Sequence, residues 1–274
     1  MCDIADSSAK SCRGTIIHIV DLSPSQLIAL RAVIAISAAA LGGLLGIGKK
    51  RISHRVLCGL VSIAAGALLG VTAGHILPET ASMLGILPAA GCVLVGTLAF
   101  AAIGKYVYFI CPACAASATE HDTGYLRLGM LLMIAMGIHS TVDGLAITAG
   151  SEAVSSIGVL VLLAVSYHKV PEGLALVSVA RLAGYSRSKA LVVTILIELT
   201  TALGAFIGLA FLHGVSELWL GVTLGIVAGS FLYTVGFALL KEMYAHEKGS
   251  IILYVALGFV SILTLGTLVG PHIH

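Results

Sequence analysis

Along the 274-residue chain, polar positions gather into short clusters, and between them lie eight continuous apolar runs, near 26–48, 56–77, 84–109, 126–149, 155–180, 188–213, 218–240 and 250–270. Each run is close to the roughly 20 residues that an α-helix needs to cross a hydrocarbon core about 30 Å thick. The runs are unbroken rather than alternating, which argues for helices and against a β-barrel. The pattern predicts an all-α integral membrane protein with eight transmembrane helices over 26–270. A polar N-terminal tail at 1–25 and a longer loop at 110–125 flank and interrupt it. The tail carries Asp3, Asp6 and Lys10 and lacks the basic region and short apolar core of a cleavable signal.

Composition supports this reading. Hydrophobic residues make up 58% of the chain and charged ones only 10%, against about 25% charged in an average soluble domain. The sparse Lys and Arg residues set an orientation, because short cytoplasmic loops are enriched in them. Lys49, Lys50, Arg51 and Arg55 lie between runs one and two, Lys105 and Arg127 flank the loop between three and four, Arg181, Arg187 and Lys189 flank that between five and six, and Lys241 and Lys248 lie between seven and eight. The alternate connections, Pro78 to Leu84, Gly150 to Ser156 and His213 to Glu217, hold none. Both termini are therefore expected outside, or in a lumen, in a multi-pass protein of the plasma or inner membrane ahead of an organelle membrane. A dispersed net charge of +2 excludes a nucleic-acid partner. The six cysteines are too scattered for a disulfide framework.

Glycines recur at four-residue steps: Gly66, Gly70 and Gly74, then Gly204 and Gly208, then Gly221, Gly225 and Gly229. Such ridges let helices approach closely where lipid supplies no hydrophobic drive for association. They predict a tight bundle and offer faces for a homodimer.

The chemistry lies in polar groups at membrane depth, where each charge costs at least about 2.5 to 3.5 kcal/mol. Run four contains His139-Ser-Thr-Val-Asp143-Gly144, and run five contains His168-Lys-Val-Pro171-Glu172-Gly173. In each, a histidine precedes a carboxylate by four residues, so the two side chains share one helix face, one turn apart. Lys169, Glu198, His75 and Glu79 are further ionisable residues in apolar runs, and His75 and Glu79 repeat the four-residue spacing. Imidazole and carboxylate together suit borderline divalent cations, zinc foremost, then iron, manganese or cadmium. His139, Asp143, His168 and Glu172 are the expected ligands of one ion. Pro171 and Pro78 each directly precede a carboxylate and remove a helix hydrogen bond. A break at Pro171 is expected to shape an ion path.

These residues resemble the ZIP (Zrt-, Irt-like) family of metal-ion transporters. The segment His139 to Gly144 is similar to the family's fourth-helix motif ending in Asp-Gly, and His168 to Gly173 to its fifth-helix form His-Lys-x-Pro-Glu-Gly. The resemblance covers about residues 25 to 270 and implies eight helices with both ends outside, and uptake of a divalent metal into the cytoplasm by alternating access. It also implies that Glu198 is the sixth-helix carboxylate of the site. His75 and Glu79 would then form an outer relay. The metal is a transported substrate, and no cofactor and no enzymatic activity are expected.

Two departures matter. Where family members with a two-metal centre carry Asn and a carboxylate, this chain has Ser140 and Lys169. A lysine ammonium repels a second cation, so one main site is expected, with Lys169 paired to Glu198. Gly43 to Lys50 nearly fits a phosphate-binding loop but ends in lysine rather than Ser or Thr and follows no strand. Cys111, Cys114 and His121 read as an ordinary loop ahead of a regulatory metal site on the cytoplasmic side, and His272 and His274 as a weak collecting site. Two other classes compete: an intramembrane metalloenzyme, which would usually show His-Glu-x-x-His, and a proton-coupled solute carrier using His and Glu as a relay.

Overall fold

The structure is a computed structural model that describes residues 22–48, 54–106, 124–236 and 248–269. The described residues are helical almost throughout. In chain order the helices are α1 (Pro24–Gly46), α2 (His54–Val71), a π-helical turn (Thr72–Ile76), α3 (Leu77–Leu84), α4 (Ile86–Tyr106), α5 (Gly124–Ala153), α6 (Ser155–Leu182), α7 (Arg187–Glu198), α8 (Thr200–Leu212), α9 (Glu217–Tyr233) and α10 (Lys248–Val269). The π turn joins α2 to α3, and Leu199 alone separates α7 from α8, so the segments form eight rods. Seven are long and apolar enough to cross a membrane. The remaining rod is α5, 30 residues long and interrupted by His139, Ser140, Thr141 and Asp143.

Local chemistry explains several boundaries. Ser23 and Gln26 form a reciprocal capping box, with Ser23 N donating to Gln26 Oε1 at 2.9 Å and Gln26 N to Ser23 Oγ at 3.3 Å. Together with Pro24 at the first turn, this starts α1 at the edge of the stretch read as tail. The connections free of basic residues are shorter than the apolar runs suggest. Gly85, at φ 80°, alone joins α3 to α4, a conformation open mainly to glycine. Val154, in an extended conformation, alone joins α5 to α6.

The rods divide into two bundles of four. α1, α5, α6 and the α7–α8 rod pack together, as do the α2–α3 rod, α4, α9 and α10. Glycines set the closest approaches, and they do so reciprocally. A Cβ on Gly42 would overlap Val170 O, and one on Gly173 would overlap Ala39 O; Gly144 and Gly204 face Thr201 O and Thr141 O in the same way. The second bundle repeats the arrangement, with Gly66 and Gly258 facing Val255 O and Ile63 O, and Gly96 and Gly229 facing Ile226 O and Val93 O. Each of these glycines therefore sits over a carbonyl three residues before its partner glycine, in four parallel helix pairs. Gly70, Gly74, Gly208, Gly221 and Gly225 likewise meet neighbouring helices of this same chain. The glycine ridges are consumed by packing inside one protomer, so a homodimer would have to use a different face.

The outer surface is apolar: Leu94, Val95 and Leu98 on α4, Phe206 and Phe211 on α8, and Ile252, Leu253 and Leu257 on α10 are all more than half exposed, as lipid-facing residues should be. Between the bundles, contacts run through side chains, chiefly from α2, α9 and α10 onto α5 and α6. A buried cluster including Leu68, Val71, Ile147, Val161, Leu224 and Ile262 spans both bundles.

The reciprocal contacts predict a sharp contrast between glycines. Gly173→Ala forces a methyl into Ala39 O and should cost about 1 to 3 kcal/mol or more. Gly91→Ala, where a Cβ meets nothing within 4 Å, should be neutral or stabilising. Thermal melting of the two variants in detergent, followed by monodispersity, checks this.

Candidate metal centre

Because α5 and α6 form an antiparallel hairpin turning at Val154, the two His-to-carboxylate steps meet in opposite order. Asp143 lies beside His168, with Oδ2 3.1 Å from Nε2. His139 Nε2 is 3.8 Å from the same Asp143 oxygen, and His168 Nε2 is 3.9 Å from Glu172 Oε2. The two imidazole rings lie 5.4 Å apart at 51°. One ligand atom from each of His139, Asp143, His168 and Glu172 lies within 4.8 Å of all the others, and all four residues are buried. Tetrahedral zinc, with bonds of about 2.0 to 2.2 Å, wants ligand atoms roughly 3.3 Å apart. Small side-chain rotations close that gap.

The glycine after each carboxylate has a structural role. Gly144 admits Thr201 of α8, and Gly173 admits Ala39 of α1, so each ligand-bearing helix is braced one residue beyond its carboxylate by backbone from a neighbour. His168 is held further by Nδ1, 3.1 Å from Ala164 O, which leaves Nε2 facing the cluster. This is the arrangement that orients metal-ligating histidines.

Lys169 sits at the centre of a second, adjoining set. It is the largest fully buried side chain among the described residues, at 0% exposure. Its Nζ lies 3.0 Å from Asp143 Oδ2, 3.0 Å from Glu172 Oε2 and 2.9 Å from Glu198 Oε2. It donates to Ser140 Oγ at 2.6 Å, and Ser140 Oγ in turn donates to Glu172 Oε1 at 3.0 Å. The Lys169–Glu198 contact expected from sequence is thus present, within a wider set. Three carboxylates against one ammonium leave two formal negative charges uncompensated, which one divalent cation cancels. Two carboxylate oxygens of the set also lack a hydrogen bond: Asp143 Oδ1 and Glu198 Oε1 are buried without one. Orphaned buried oxygens are costly, and a cation between the helices is a species that would satisfy Asp143.

The other sequence candidates fall elsewhere. Glu198 ends α7 and joins the centre through Lys169 rather than through the four-ligand group. His75 and Glu79 lie outside that group. His75 is on the π-helical turn, packed over Gly266 of α10, with Nε2 buried and unpartnered; Glu79 is half-buried in the first turn of α3. Pro78 follows this turn, where Leu77 N–H bonds to Thr72 O, five residues back, the widened register by which a helix absorbs a proline. Pro171, by contrast, lies inside α6, which runs unbroken from Ser155 to Leu182, so the expected break is not seen. The rod that is interrupted is α7–α8, at Leu199 beside Glu198. Cys111, Cys114, His121, His272 and His274 lie outside the described residues.

Sequence reasoning missed the hydroxyl of Ser140 as the link between Lys169 and Glu172. Its signal was present: a hydroxyl three residues before Asp143 shares the ligand face. It also missed Arg31, buried in α1, whose Nη1 donates to Ser151 Oγ of α5 in the gap left by Gly158 of α6.

A family model described as "ZIP Zinc transporter" matches residues 113–266, which include every ligand of the four-residue group. A search of curated proteins gives no match.

The hub predicts the effect of one hydroxyl. Ser140→Ala removes the donor to Glu172 Oε1, while Lys169 Nζ keeps its three carboxylate oxygens, and should destabilise the protein by about 1 to 3 kcal/mol. A melting curve in the presence of a chelator checks it.

Proposed function

Since the chain belongs to the ZIP zinc transporter family, we propose that it carries divalent transition-metal cations, zinc foremost, across the membrane into the cytoplasm by alternating access, with the ion held by His139, Asp143, His168 and Glu172. One observation carries the reading: two imidazoles and two carboxylates converge, buried, on neighbouring helices of a membrane bundle. A soft thiolate set would favour monovalent copper and an all-oxygen set calcium or magnesium, so this mixed set fits zinc, iron, manganese or cadmium.

Lys169 supports a single-ion site. Its ammonium occupies the space among Asp143, Glu172 and Glu198 where a second cation would otherwise be compensated. Glu198 is then the counter-charge of Lys169 rather than a ligand. His75 and Glu79 act as a relay that receives the ion before the main site; the unpartnered Nε2 of His75 supports this. The basic residues at alternate connections support termini on the outer or lumenal side, in a plasma or inner membrane or an organelle. The division into two bundles, each locked by backbone contacts at glycines and joined by side chains, supports a rearrangement of one against the other.

Two measurements test the reading. Uptake into proteoliposomes, challenged with a panel of metals, should show flux competed best by zinc and reduced about tenfold or more in His168→Ala, the loss of one of four ligands; equal flux in both proteins removes His168 as a ligand. Equilibrium binding should give one ion per main centre in the wild type and two in Lys169→Asp. Two ions at the wild-type centre would end the single-ion reading.

A further inference from the structure

Lys169 does more than exclude a second ion. Its Nζ lies within 3.0 Å of oxygens on Asp143, Glu172 and Glu198 and within 2.6 Å of Ser140 Oγ. An ammonium has only three protons to give, so four oxygen neighbours exceed what it can satisfy at once. Two of its neighbours, Asp143 Oδ2 and Glu172 Oε2, belong to the four-residue ligand group; the other two, on Glu198 and Ser140, do not. The side chain therefore stands between two sets of partners.

We propose that Lys169 is a tethered surrogate for the transported cation, which competes with it for Asp143 and Glu172 and keeps the empty site compensated while the carrier returns. The proposal rests on the reading of His139, Asp143, His168 and Glu172 as the transport site. The physical need is plain. Three carboxylates buried without any cation would make the empty form costly to pass through a closed, water-excluded state. A cation fixed to the chain lowers that cost without leaving the protein. Glu198, buried at the end of α7, is the resting partner that frees the ligands when metal arrives.

The test separates the return of the empty carrier from transfer of the loaded one. Net zinc uptake needs the empty site to reorient; exchange of internal for external zinc reorients only the loaded site, with release and rebinding on each side. Reconstituted Lys169→Met should bind zinc about tenfold tighter and lose net uptake by a similar or larger factor, with exchange falling several-fold less than net uptake. The double variant Lys169→Met, Glu198→Gln leaves the buried formal charge unchanged. It should still lose net uptake more than exchange, because nothing fills the place between Asp143 and Glu172. Recovery of net uptake in the double variant would overturn the proposal in favour of total charge. So would a parallel loss of exchange and net uptake in Lys169→Met, or unchanged zinc affinity. A melting curve with and without zinc identifies a variant that fails to fold, and Lys169→Gln then replaces methionine under the same criteria. If wild-type protein shows neither net zinc uptake nor exchange, the transport reading itself fails, and the two failures are distinct.

Discussion

Charge buried without water is the constraint on which this structure depends. Asp143, Glu172 and Glu198 each place an oxygen within 3.0 Å of the Lys169 ammonium, enclosed by a bundle whose exterior is hydrocarbon-like. Each of these charges alone would disfavour membrane insertion, and only their mutual proximity makes the set tolerable. The remaining architecture keeps them close. Glycines behind the ligand carboxylates draw α1 and α8 against the hairpin, and the Ala164 carbonyl fixes the His168 ring. The interior that results is incompletely compensated, with three carboxylates against one ammonium.

The fold was largely legible because a bilayer imposes a length. Eight apolar runs correspond to eight rods, with ends shifted by a few residues where capping chemistry or a single turn residue decides the boundary, as at Ser23, Gly85 and Val154. The four-ligand group was legible for a related reason: a spacing of four residues on a helix is a statement about direction, and two helices in hairpin order bring two such directions together. What depends on distant partners was not legible. Gly66 and Gly225 reveal themselves as members of a ridge, but only the folded chain tells that the ridges face inward. Pro171 and Pro78 look alike in sequence. One sits inside a continuous helix and the other beside a π-helical turn, because the surrounding packing decides whether a lost hydrogen bond is absorbed or widens the register.

The glycine pairs also explain how polar helices can be held so tightly in a medium with no hydrophobic drive. Backbone against backbone maximises dispersion contact over a short length, and the repeat of one contact geometry in four pairs gives each bundle internal stiffness. His139, Asp143, His168 and Glu172 are thus held together although the helices bearing them are chiefly apolar. Among the described residues, no glycine of one bundle meets backbone of the other in this way.

The π-helical turn at Thr72–Ile76 gives the stretch between Val71 and Leu77 an unusual meaning. An added residue in a helix of 3.6 residues per turn rotates everything beyond it by about 100°. Gly66, Gly70 and Gly74 face α10, whereas Thr80, beyond the turn, faces Gly225 of α9. Here the number of residues acts as an angular setting rather than a length. Removing one would leave the rod nearly as long, yet would turn Glu79 and Thr80 toward a different neighbour, an outcome that no inspection of side-chain chemistry alone would foresee.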